Sequence, residues 1–511
     1  MSNHKNKDII LPLSLFLLTI LTRIPFTSRL LYHTDSVQFA LALEKYDITV
    51  HQPHPPGYFL YVMLGRLINL FIKDANTTFV FISILFSGLA VLAIYYLGKE
   101  IFDNNTGILS ALIALTSPNL WFHGEVALTY VVEAFFSAFV ALLCWRMLQG
   151  EHKYIWLSVI ALGIAGGIRQ NTVVFLLPLW LFSIKGLPLR KIIASIGLLG
   201  IVCLLWFIPM VWMTGGWNAY NEAFREYRIF VIGHFSVFER GWVSFNIFSL
   251  SLFRHLIYGL GAGIFILGLV VYSLIRRGRL KSIERTKVLF FCLWILPSVF
   301  FYVMILYHPS SYGYVLILLP ALFILTTVSI EYISTEVKKI FKKDFYYWIA
   351  SVLIILNTLS FFLLKFPVSY KEIRNHDRDL SIILEGIKKF NPANTAIFIE
   401  PYISYGYRHI MYYLPAYTVY HVDFRISPSG EARKLFWGRY RETYLSDEII
   451  LSQTISEFVT LLLLMDIQLK SPNLDTIKKL TISNISNTNI YLISGNIHLI
   501  KNIYPELRIS L

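Results

Sequence analysis

The chain has 511 residues, of which 56% are hydrophobic, 16% aromatic and only 15% charged. That balance excludes an ordinary soluble enzyme and a disordered protein alike. A formal charge of +14 would suggest nucleic acid in a soluble chain. Here the basic residues gather in short clusters between apolar windows, so the implied partner is a lipid membrane and not nucleic acid.

Windows of about 20 apolar residues recur, each able to cross a hydrocarbon core of roughly 30 Å as a helix. The first, "IILPLSLFLLTILTRIPF", follows Lys5 and Lys7. It is too long for a signal sequence and lacks a small-residue cleavage site, so it reads as a retained helix. Cys144, Cys203 and Cys292 all fall inside apolar windows, which argues against disulfides and thiolate metal sites. Basic clusters at Lys5/Lys7, Arg146/Lys153, Lys185/Arg190/Lys191, Arg276 to Lys287 and Lys338 to Lys343 are assigned to the cytoplasm. Even parity between clusters predicts helices near 9–29, 77–98, 107–122, 131–148, 154–168, 171–184, 192–213, 251–275, 288–306, 312–330 and 345–364. The result is a mainly α, polytopic membrane protein of about eleven crossings, with a cytoplasmic N-terminus and an external C-terminus.

Parity leaves "YFLYVMLGRLINLFI", residues 58–72, without a crossing, and it reads as a helix at the outer interface. The external segments are then loops 30–57, 118–130 and 214–250, turns at Arg169/Gln170 and 307–314, and the tail. Two domains follow: a membrane domain over 1–364 and a soluble extracytoplasmic α/β domain over 365–511. In the tail "DRDLSIILEGIKKF" has helical periodicity, "NTAIFIE", "TVYHV" and "NIYLISG" look like strands, and "NPAN" and "SPSG" like turns. "SEFVTLLLLMDI" is too short to cross and belongs in that domain's core. The cytoplasmic loops are short and carry no nucleotide-binding glycine motif, so any chemistry faces outward.

Four external constellations stand out. In "LLYHTDSVQFALALEKY", Asp35 opens an apolar helical stretch; it is either a helix cap or a general base at a membrane edge. In "HQPHPPGY", Pro55, Pro56 and Gly57 make a rigid turn, which leaves His51 and His54 to bind phosphate or metal, or to be ordinary loop residues. "SPNLWFHGEVALTYVVEAF" supplies Glu125, Tyr130 and Glu133, the last near a membrane boundary, where it is a functional candidate or an interface-paired carboxylate. Arg169, Arg225, Arg228 and Arg240 are external cations that suit phosphate, or else lipid headgroups and ion pairs with Glu222, Glu226 or Glu239. Parity puts Asp35, His54 and Glu125 on one side of the membrane.

The succession "DSVQFALAL", "PHPPGYFLYVMLGRL", "SPNLWFHGEVALTY" resembles the GT-C type membrane glycosyltransferases, in particular the protein O-mannosyltransferase and aminoarabinose-transferase relatives with a His-Pro-Pro-Gly-Tyr motif. The likeness covers roughly the first 210 residues well and "GYVLILLPAL" more loosely. It implies a GT-C fold, Asp35 as catalytic base, His54 at the donor phosphate, and Glu125 shaping the site. The family's second acid after the aspartate is replaced by Ser36, so no cofactor is required, and a divalent metal is compatible but not favoured. The expected donor is a sugar on a polyprenyl phosphate, since nucleotide sugars are not expected outside. His54 with Arg169, Arg225 and Arg228 would hold its phosphate, while His51, Glu125, Tyr130 and Glu133 would shape the site. The expected activity is inverting transfer of a hexosyl or pentosyl group to a glycan, lipid or protein hydroxyl outside the cell membrane. A transporter or flippase of lipid-linked sugars is the principal rival; charges at the membrane edge and the lack of internal repeats speak against it.

Overall fold

The computed structural model describes residues 2–277, 284–399 and 407–422, and beyond them the strand segments 435–437, 442–443, 460–465, 477–480 and 489–494. In chain order the helices begin with α1 (Ser2–Arg23), α2 (Thr34–Glu44), α3 (Phe59–Ile72), α4 (Ala75–Ile101), α5 (Asn104–Thr116), α6 (Pro118–His123) and α7 (Tyr130–Leu148). They continue as α8 (Ile155–Ile168), α9 (Asn171–Ser183), α10 (Leu189–Met213), α11 (Trp217–Phe235), α12 (Val237–Arg240), α13 (Trp242–Leu260) and α14 (Gly263–Arg276). The last five are α15 (Arg285–Met304), α16 (Leu319–Phe341), α17 (Tyr346–Leu363), α18 (Tyr370–Ile387) and α19 (Tyr407–Tyr413).

Among the described residues α1, α4, α7, α10, α15 and α17 are each long and apolar enough to cross a bilayer. The protein is therefore a multi-pass membrane protein, mainly α-helical as its composition requires. The other expected crossings also fall on apolar helices, but on shorter or interrupted ones. The span expected at 251–275 is instead two helices, α13 and α14, bent by 111°. Gly261 makes the corner with φ +55, and the Asn357 side chain fills the place where a Cβ would stand, so only glycine fits there. The stretch 107–122 breaks at Ser117, whose hydroxyl accepts from Leu120 N at 3.3 Å. The residue before a proline resists helical geometry, and Pro118 restarts the chain as α6. The segment 58–72 forms α3, whose 14 residues extend about 21 Å, short of a crossing.

The chain packs as two compact units, Met1–Arg29 with Pro55–Arg374, and Leu30–His54 with Asn375–Leu511. In the first, α4 packs on α1, α5 and α7, while α8 is flanked by α7, α9 and α10. Small residues permit the close approach: Gly107 meets the α4 backbone at Tyr95 and Lys99.

The second unit joins the early segment to the tail. Arg408, fully buried, donates to Val50 O at 2.7 Å. Leu31 N donates to the Tyr413 hydroxyl at 2.8 Å, and Leu31 O meets His409 Nε2 at 3.0 Å. Leu30 also packs on the apolar cluster of Leu380, Ile383, Ile387, Ile397, Ile410 and Val419. Paired backbone groups and buried apolar area together explain why Leu30–His54 belongs with the tail instead of the helices, where the division at 364/365 would leave it.

The tail is α/β, with strands β1 (Thr395–Ile399), β2 (Thr418–Val422), β3 (Leu435–Trp437), β4 (Glu442–Thr443), β5 (Thr460–Met465), β6 (Ile477–Leu480) and β7 (Asn489–Ser494). The sheet order is β4-β3-β2-β1-β5-β7-β6. β1 runs parallel to β2 and β5, and the outer pairs are antiparallel. The apolar "SEFVTLLLLMDI" supplies β5, an interior strand flanked on both edges, in keeping with its near-continuous hydrophobic run. The turn expected at "SPSG" lies outside the described residues.

Candidate active site

Two clusters of ionisable side chains stand out, one in each unit. In the second unit the start of α2 has an unusual cap. His33 is the N-cap: its Nδ1 accepts from Asp35 N at 3.1 Å, while the Ser36 hydroxyl accepts from His33 N at 3.3 Å. The reciprocal pair satisfies two helix-end donors. Asp35 is therefore not the cap; its carboxylate lies in the first turn, favoured there by the helix dipole.

The carboxylate oxygens of Asp35 lie 3.5 Å from His33 Nδ1 and 3.7 Å from His54 Nδ1, with 27% of the side chain exposed. Partial desolvation opposes a charge on His33, but the field and hydrogen bond of Asp35 outweigh it and raise the His33 pKa above its ordinary value. Gln38, one turn along α2, fixes the other ring: its Oε1 lies 2.6 Å from His54 Nδ1 and accepts from His54 N at 3.3 Å. An amide oxygen only accepts, so Nδ1 carries the proton toward Gln38. His51 closes the Ile48–Val50 turn with φ 55 and is exposed.

The first unit holds a different arrangement. Arg169 interrupts the apolar α8–α9 stretch, and its Nε lies 3.4 Å from Glu133 Oε2, with side-chain exposures of 7% and 0%. Glu133 Oε1 accepts from the Thr172 hydroxyl at 3.0 Å, and Arg169 Nη1 donates to Thr129 Oγ1 at 3.3 Å. The guanidinium lies over the Tyr130 ring at 4.5 Å and near the Tyr314 ring at 5.4 Å. Gly313 is required beside them, because a Cβ there would enter the Tyr130 ring. The next residue, Gln170, donates to Pro56 O at 3.2 Å, which fastens the Pro55–Tyr58 turn to the same corner.

Glu125 lies in a second buried pocket of this unit. Its Oε1 accepts from Trp121 Nε1 at 2.6 Å, and its backbone O accepts from Ser28 N at 2.9 Å. Arg23, fully buried, stacks 4.2 Å over the Trp121 ring and donates to Leu115 O at 2.7 Å. Burial pushes the Glu125 carboxyl well above the ordinary carboxylate range, with the charge of Arg23 and the Trp121 N–H pulling the other way. Arg225 and Arg228 are exposed on α11, outside both buried pockets.

The structure thus gathers Asp35 with His54 in one cluster and Tyr130, Glu133 and Arg169 in another, and buries Glu125 apart with Arg23. Sequence reasoning missed Arg23, Gln38 and His33. Arg23 ends a membrane-length helix at the end expected to face outward, where the positive-inside bias does not account for a cation; that signal was available. Gln38 and His33 become visible only once α2 has its cap.

Residues 53–213 match the family model for dolichyl-phosphate-mannose-protein mannosyltransferase. The match opens on the Pro53–Tyr58 turn and closes with α10. No curated protein matches the chain. The apo structure of ArnT from Cupriavidus metallidurans shares the fold at a TM-score of 0.52 and 12% identity, over 96% of this chain and 100% of that one. ArnT from the same organism bound to undecaprenyl phosphate gives a TM-score of 0.52 and 12% identity, over 96% and 99%. The archaeal oligosaccharyltransferase AglB from Archaeoglobus fulgidus, in complex with an inhibitory peptide and a dolichol-phosphate, is more distant, with a TM-score of 0.47, 11% identity and coverages of 88% and 69%. Residues 53–213 thus match that family's model, and the chain as a whole shares the fold of ArnT.

Proposed function

We propose that the protein moves a sugar from a polyprenyl phosphate to an acceptor hydroxyl on the extracytoplasmic side of the cell membrane, inverting the anomeric carbon. Asp35 takes the acceptor proton as the acceptor oxygen attacks that carbon. The bond to the donor phosphate breaks, and its electron pair leaves with the polyprenyl phosphate. His54, Arg169, Arg225 and Arg228 offset the developing charge, and preorganised cations of this kind stabilise such a transition state by a few kcal/mol each. Glu125, Tyr130, Glu133 and His51 shape the surroundings, and the step needs no metal or cofactor.

The observation that carries this reading is the Asp35 carboxylate itself: freed of capping duty by His33, 27% exposed, and 3.7 Å from the His54 ring. A base must reach both the acceptor proton and, in the end, water. The lipid-phosphate donor is supported by the family description and by the undecaprenyl phosphate bound to ArnT. The sugar is a hexose or a pentose, and the acceptor a glycan, a lipid or a protein.

The test is transfer by purified protein from undecaprenyl-phosphate pentoses and hexoses to a cell-envelope extract, with the anomeric configuration of the product read by NMR. Asp35→Asn is expected to bind undecaprenyl phosphate as the wild type does but to lose transfer. Full activity in a folded Asp35→Asn protein would overturn the base assignment. A wild type that transfers none of the sugars yet moves the donor across proteoliposomes would overturn the enzyme reading in favour of a flippase.

A further inference from the structure

The Arg169–Glu133 pair is costly as it stands. Both side chains are more than nine-tenths buried, yet their facing atoms, Nε and Oε2, meet at 3.4 Å without forming a hydrogen bond. Among the described residues the guanidinium makes one hydrogen bond, to Thr129, out of the five its donors allow. A buried cation this poorly satisfied is built to receive an anion.

What Glu133 contributes can be separated from what the other neighbours contribute. Orientation of the guanidinium is already over-determined by the Tyr130 face at 4.5 Å, Tyr314 at 5.4 Å and the Thr129 hydroxyl. Glu133 is itself held by Thr172 at 3.0 Å. The one thing that only Glu133 supplies is a fixed negative charge, and that charge opposes any phosphate approaching Arg169.

We infer that Glu133 is a counter-ion beside Arg169 whose charge repels the lipid phosphate held there, so that the product leaves after transfer. The inference rests on the proposed role of Arg169 at the donor phosphate. Donor and product share that phosphate, but the product carries an extra negative charge once the sugar has gone. A nearby carboxylate therefore repels the product more than the donor, and turnover gains from the difference.

The test compares wild type, Glu133→Gln, Glu133→Asp and Arg169→Gln in detergent, titrated with undecaprenyl phosphate and assayed for transfer. Glu133→Gln keeps the volume and an acceptor for Thr172 while removing the charge. It is expected to bind undecaprenyl phosphate about tenfold tighter, the effect of one charge within roughly 10 Å at an effective dielectric of about 20. Its kcat should fall through slow product release, with a product-inhibition constant lowered in proportion, while Glu133→Asp, which keeps the charge, should not show this tightening of product binding. Weaker binding by folded Glu133→Gln would overturn the inference and make Glu133 a structural support. Should Glu133→Gln fail to fold, Glu133→Gln with Arg169→Gln restores neutrality, and tighter binding than by Arg169→Gln alone sustains the inference; equal or weaker binding overturns it. No binding of undecaprenyl phosphate by the wild type would instead remove the functional reading beneath it.

Discussion

The two acidic clusters differ in one respect that decides what each can do. Asp35 is 27% exposed and faces two imidazoles at 3.5 and 3.7 Å, whereas Glu133 is fully buried and faces a guanidinium at 3.4 Å. A general base has to change its protonation state in every turnover, and access to water makes that cheap. A carboxylate paired with an arginine faces a partner that never gives up its proton, and an unpaired buried cation is costly. A carboxylate of the first kind can carry protons, and one of the second kind can only supply a field.

The sharpest way to break this comparison is to remove one carboxylate charge in each cluster and read the same reaction. Asp35→Asn is expected to lower kcat about 10³-fold, within the range of general-base catalysis, with donor affinity unchanged. Glu133→Gln should leave the chemical step within about tenfold in single-turnover experiments. If both substitutions slow the single-turnover step equally, the division between proton carrier and fixed field is wrong.

Glu125 tests the same distinction in a third setting. It is buried beside Arg23 but raised in pKa, and its firm partner is a neutral donor, Trp121 Nε1 at 2.6 Å. Glu125→Leu orphans that N–H and leaves Arg23 without its acid, so thermal or denaturant unfolding should show a loss of about 2 kcal/mol or more. Glu125→Gln keeps the acceptor and should lose less than half as much. Equal losses would mean that the carboxylate charge, not the hydrogen bond, is what the pocket needs.

His54→Asn should act more weakly. Asparagine retains a donor but not the imidazole ring, and the expected outcome is a rise of about tenfold in the KM for donor with a smaller change in kcat, the size of one hydrogen bond to a charged group. A change confined to kcat would move His54 from the phosphate to the proton-transfer step.

Much of this was legible from residue types alone. Hydropathy windows marked the six helices long enough to cross, because in lipid the backbone can only pair within the helix and every side chain must tolerate hydrocarbon. The bend between α13 and α14 was not legible. It depends on Asn357, a residue distant in sequence, occupying the space next to Gly261. The same limit applied at the site: Asp35 and His54 were visible as polar residues in a loop expected to be external, and Glu133 and Arg169 as ionisable residues expected near a membrane boundary. That Glu133 belongs to Arg169 and Glu125 to Arg23 required helix packing, since partners 36 and 102 residues apart (169 − 133 and 125 − 23) leave no local pattern. Nor could sequence show that His33 takes the cap, because Thr34, Asp35 and Ser36 are all better cap formers by type.

The cap leads to the smallest predicted effect. His33 Nδ1 has two incompatible duties: neutral, it accepts from Asp35 N at 3.1 Å; protonated, it can only donate, and the Asp35 carboxylate lies 3.5 Å away. The pKa is raised, so the charged form is favoured by the fold despite the lost cap bond. A raised folded pKa means that the stabilisation is fully present below the unfolded value of about 6.5 and disappears as pH rises through the folded value. His33 is 49% exposed on its side chain, so salt screens much of the gain, and the competing cap bond removes more of it. Wild type should therefore exceed His33→Gln in melting temperature by a slightly wider margin at about pH 5.5 than at about pH 8.5, and added salt should shrink the difference. A margin that is constant with pH would show that His33 serves the helix only as a neutral cap.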